Sequence, residues 1–77
     1  MKREGRLVIS SPETEDGRFC VDIYRNADGV FGWDEWRREV EDPTGWQATG
    51  RLSSRTFETA EGARQAADQS IEWLSRR

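Results

Sequence analysis

"GVFGWDEWRREVEDPTGW", Gly29 to Trp46, sets three tryptophans (Trp33, Trp36 and Trp46) among seven charged side chains. Strand register decides whether these indoles are core or exposed surface. Upstream, "NADG" (Asn26–Gly29) has the residues of a type I turn with Gly29 left-handed, a common hairpin closure with a bulge. It pairs Asn26 with Val30, Arg25 with Phe31 and Ile23 with Trp33. The preceding "RFCVDIYR" (Arg18–Arg25) alternates. Phe19, Val21 and Ile23 share one face and Cys20, Asp22 and Tyr24 the other, the period of a half-buried strand. This register sets Phe31 and Trp33 beside the apolar face. A slip of one residue would place Trp33 opposite Asp22, and matching of the apolar faces selects against it.

Downstream, "DPTG" (Asp42–Gly45) predicts a second turn, with Pro43 at its second position and Gly45 at positive φ. Asp42 then pairs with Trp46, Val40 with Ala48, Arg38 with Gly50 and Trp36 with Leu52. Trp36, Val40, Ala48 and Leu52 form the apolar face of this hairpin. The two hairpins conflict, because Phe31 and Trp33 are odd-numbered, Trp36 and Val40 even, and strand residues alternate faces. A bulge at Asp34–Glu35 returns Trp36 to the core side and is the expected arrangement. The alternative, a regular strand, leaves an aromatic cluster on each face and exposes Trp36 beside Tyr24.

Toward the N-terminus, "RLVIS" (Arg6–Ser10) reads as a short strand and "SPETEDG" (Ser11–Gly17) as a loop of turn formers and acids. Toward the C-terminus, Thr59 is a good N-cap, with Glu61 in the first turn and Arg76 and Arg77 at the end, as the macrodipole prefers. Ala60, Ala63, Ala67, Ile71 and Leu74 form one helical stripe, with Trp73 at its edge. The expected fold is α+β: a small two-layer domain over residues 1–77. It has a three- or four-stranded antiparallel meander (strands about 6–10, 18–25, 30–40 and 46–54) and one C-terminal helix (about 60–75) packed on one face.

Composition bounds the chemistry. Leu, Ile, Val and Phe number 13 of 77 residues, below the roughly 20% at which disorder becomes a concern. The net charge is only −3, and each buried aromatic covers on the order of 150–250 Å², so the tryptophans are needed as core. The chain has no histidine and one cysteine, Cys20, which excludes His bases, an intrachain disulfide and a zinc site of the usual type. "EVEDPTG" (Glu39–Gly45) lacks the ligand spacing of a calcium loop, and no Gly-rich phosphate loop occurs. No catalytic residue, metal or cofactor is expected, and the protein is read as non-enzymatic. The lone cysteine fits a reducing compartment. No signal-like opening or run of roughly 20 apolar residues is present, so a soluble cytoplasmic protein without membrane contact is expected.

"GWQATG" (Gly45–Gly50) resembles the GWxxxG element of the MbtH-like accessory proteins, and "IEW" (Ile71–Trp73) loosely resembles the end of their helix. Their Ser-Leu-Trp-Pro segment and their closing Arg-Pro and Ser-Leu-Arg elements have no counterpart here. The family's adenylation-domain partner is therefore not carried over.

The functional expectation is a small protein-interaction module that uses the helix-free sheet face, with Tyr24, Arg37 and Arg51 as binding residues and Trp36 added if exposed. Aromatics and arginine are enriched at interface hot spots. The acidic surface favours a basic partner. The alternative is a sheet-based nucleic-acid binder. Against it, residues 28–42 hold six acids and two arginines, and phosphate neutralisation supplies most of such affinity.

Overall fold

The computed structural model describes residues 6–39, 41 and 45–76. Four strands, β1 (Leu7–Ser10), β2 (Phe19–Arg25), β3 (Phe31–Arg37) and β4 (Gln47–Leu52), form one antiparallel sheet in the order β1-β2-β3-β4. Two helices follow, α1 (Ala60–Ser70) and the single turn α2 (Glu72–Ser75). The α+β meander with a C-terminal helix on one face is thus the fold of the chain, and Leu7–Ser10 supplies the fourth strand.

The first hairpin has the expected register. Asn26 N donates to Val30 O at 2.8 Å, Arg25 faces Phe31 and Ile23 faces Trp33. Gly29 has φ +89°, a conformation costly to residues with a Cβ. Odd-numbered residues of β2 and β3 face the helix. Val21, Ile23 and Trp33 pack with Ala63, Ala67, Ile71 and Leu74, and Phe31, Phe57, Ala60 and Trp73 close the margins. Thr59 caps α1, its hydroxyl accepting from Gly62 N at 3.0 Å.

Three expectations are corrected. The first is the bulge at Asp34–Glu35. Pairing between β2 and β3 is unbroken from Phe19–Arg37 to Arg25–Phe31, so β3 is regular and Trp36 faces away from the helix. The irregularity lies on β4. Asp34 pairs with Leu52 but Trp36 with Ala48, so Thr49, Gly50 and Arg51 stand opposite Glu35 alone. Gly50 at φ +92° makes this possible. The second is the register of the β3–β4 hairpin. Trp36 was expected against Leu52, but Arg37 pairs with Gln47 and β3 ends there. The connection is wider than a tight turn. Val40 and the Asp42–Thr44 turn lie outside the described residues.

Ser11–Gly17 is the expected loop, with one isolated bridge from Glu13 to Cys20. Val21 N donates to Pro12 O and Thr14 N to Phe19 O, both at 3.0 Å, extending the β1 edge along β2. Proline fits such an edge because it gives up no ladder donor. The third correction is helix continuity. Ile71 is extended (φ −112°, ψ 105°) and divides α1 from α2. Its buried side chain still fills the core between Ala67 and Leu74.

Outside the helix layer the sheet carries a second buried cluster. Cys20, Asp22, Tyr24 and Trp36 are all buried there, Tyr24 and Trp36 each 6% exposed. The Tyr24 ring lies over Gly32, where a Cβ would sit 2.6 Å from the phenol oxygen. The Arg6 guanidinium covers Tyr24 at 3.7 Å and bonds Asp34 at 3.0 Å. Asp34 accepts from the Trp36 indole at 2.9 Å, and Asp22 from Ser11 at 2.6 Å. These side chains lie across their own sheet and seal it.

Candidate functional site

Sealing of the outer face redistributes the residues expected to bind. Tyr24 and Trp36 share that face, as a regular β3 requires, but both are buried, Tyr24 beneath the Arg6 guanidinium. Neither is an accessible contact residue. Arg37 and Arg51 are exposed, at 52% and 62% of their side chains, but on the helix side. Arg37 shares the odd parity of Trp33 and Glu35 on β3. Arg51 reaches Glu35, its Nε 3.9 Å from Oε1. The helix-free face therefore does not unite Tyr24, Arg37 and Arg51. The structure brings the two arginines together on the opposite side.

They line a groove. α1 packs on β2 and β3 and leaves the helix side of β4 open. Two hollows follow β4 and share Arg51. One, of about 420 Å³, has Trp33 and Phe57 at its floor, Arg51, Ser53 and Arg55 along the strand side and Gln69 on α1. The other, of about 590 Å³, is bounded by Glu35, Arg37, Gln47, Thr49, Arg51 and Trp73.

Glu35 lines the second hollow. Its carboxylate is 3% exposed and fully engaged. Thr49 Oγ1 donates to Oε1 and Trp73 Nε1 to Oε2, each at 2.8 Å. A buried carboxylate is tolerated only with such donors. The β4 bulge delivers Thr49 and Arg51 to one side of it, and the break at Ile71 precedes the turn that delivers Trp73. Beyond Leu52 the chain returns to the β3 edge through paired Phe31–Phe57 bonds of 2.7 and 2.8 Å. That return sets Arg55 over the Phe57 ring at 4.9 Å.

Glu35, Thr49, Arg55, Phe57 and Trp73 are groove residues that the sequence reading did not select. Reading β3 as regular places Glu35 on the helix side, toward Trp73. Gly50, beside Thr49, was the available sign of a bulge on β4.

Asp34, next in the chain to Glu35, belongs to the outer cluster. Burial pushes its carboxyl above the usual aspartate value, against the Trp36 and Arg6 contacts that favour its charge. Among the described residues, no group of three or more His, Cys, Asp or Glu is placed to hold a metal ion, and no helix is long and apolar enough to cross a membrane. No protein-family model, curated protein or solved structure matches the chain.

Proposed function

We propose that the protein is a non-enzymatic protein-interaction module whose docking surface is the groove between β4 and α1. The observation that carries this reading is the uncovered helix side of β4, with the exposed Arg51 and Arg55 beside the partly buried Phe57. Interfaces of this kind join an apolar centre to a polar, arginine-rich rim. The outer sheet face has the opposite character, since Arg6, Tyr24, Asp34 and Trp36 satisfy one another there.

Paired variants test the reading. The tagged protein is used for affinity capture from its cells of origin, beside an Arg51→Glu variant in the groove and a Val8→Glu variant on the outer face. A specific partner should be lost with Arg51→Glu and kept with Val8→Glu. Loss with Val8→Glu alone, both variants being folded, overturns the assignment.

A further inference from the structure

The charge of the groove selects its occupant, an inference that rests on the groove being a docking surface. We infer that it takes an extended acidic segment of a partner protein, with carboxylates on Arg51 and Arg55. Glu35 is the single carboxylate bounding either hollow among the described residues, and Thr49 and Trp73 already occupy its oxygens. Arg51 stands off Glu35 at 3.9 Å and keeps most of its guanidinium in solvent. Arg55 makes no ion pair among the described residues and only caps the Phe57 ring. Ser53 and Gln69 add neutral polar groups.

The rest of the molecule strengthens this choice. The chain carries a net −3, so an acidic segment is repelled elsewhere and admitted here, a positive site on a negative surface. The open side of the groove is one strand, Gln47–Leu52, which its bulge shortens to the span of Asp34–Arg37, roughly 10 Å long and ~5 Å wide. That shape suits a single extended chain, whereas a helix with side chains is about 10–12 Å across. A nucleic-acid strand fits less well. Trp33 is 4% exposed and Phe57 already carries Arg55, so no open aromatic face is left for base stacking of the usual kind.

The test titrates the isotope-labelled protein by NMR at millimolar peptide. One peptide alternates glutamate and leucine, a second has glutamine for glutamate, a third has lysine, and a short single-stranded DNA is the fourth probe. The acidic peptide should shift the amides of Arg51, Ser53, Arg55 and Gln69 and bind roughly tenfold or more tightly than the glutamine peptide. The paired change Arg51→Glu and Arg55→Glu should abolish those shifts while leaving the rest of the spectrum intact. Equal binding of the glutamine peptide, shifts confined to the outer face, tighter groove binding by the DNA, or no peptide binding at all overturns the inference. Capture that still depends on Arg51 would in that event leave the docking reading standing, so the two failures are distinguishable.

Discussion

Asp34 and Glu35 are chain neighbours with opposite surroundings, and each makes a residue-scale prediction. Asp34 is an acid whose folded pKa lies above its ordinary value because burial disfavours its charge. The folded state then binds the proton more readily, so this group's contribution to stability falls as pH rises through that interval. In Asp34→Asn the contribution is absent. Denaturant titrations should show native stability, relative to the variant, decreasing from acidic to neutral pH; a rising difference contradicts the assignment. Glu35 is held by Thr49 and Trp73. Glu35→Gln replaces one carboxylate oxygen with an amide NH2, which only donates, so either Thr49 or Trp73 loses its acceptor, and Trp73→Phe removes one donor. Each should cost about 1–3 kcal/mol. The double variant should cost less than the sum, with a coupling of roughly 0.5–3 kcal/mol. Additive losses in a urea-unfolding cycle would show that the pair does not interact.

At the scale of elements, β4 rather than β3 absorbs the mismatch between the two hairpins. Gly50 at φ +92° lets Thr49 and Arg51 converge on Glu35. Gly50→Val should therefore cost about 1–3 kcal/mol from backbone strain. It should also move the amide signals of Thr49, Arg51 and Trp73 together. An unchanged unfolding midpoint contradicts this role. Much of the fold was legible in the sequence because local chemistry and tertiary packing agree there. Alternation in Phe19–Arg25, the Asn26–Gly29 turn and the Ala63–Ala67–Ile71–Leu74 stripe each specify one solution. The Asp34–Glu35 bulge was misplaced because it was invoked to keep Trp36 in the helix-side core. Parity shows which face a side chain takes, not whether that face is dry. Arg6, more than twenty residues upstream of Trp36, helps to bury the second face, and local periodicity carries no trace of such long-range cover.

At the scale of the molecule, overall and local charge point to different partners. A net −3 suggests a basic one, but charges separated by more than ~10 Å are screened at 0.1 M salt. A ligand seated beside Arg51 and Arg55 responds to those residues first. The candidate site was only partly legible for the same reason. Arg37 and Arg51 could be selected as exposed from sequence, but their company could not, because it depends on β4 register and on where α1 stops covering the sheet. Site-specific photo-crosslinking in the cells of origin tests the location of the docking surface most directly, with the crosslinker at Ser53 or Gln69 in the groove and at Val8 on the outer face. A discrete protein adduct should form from Ser53 and Gln69, be lost when Arg51→Glu is added, and not form from Val8. An adduct formed from Val8 and absent from both groove positions would contradict that location.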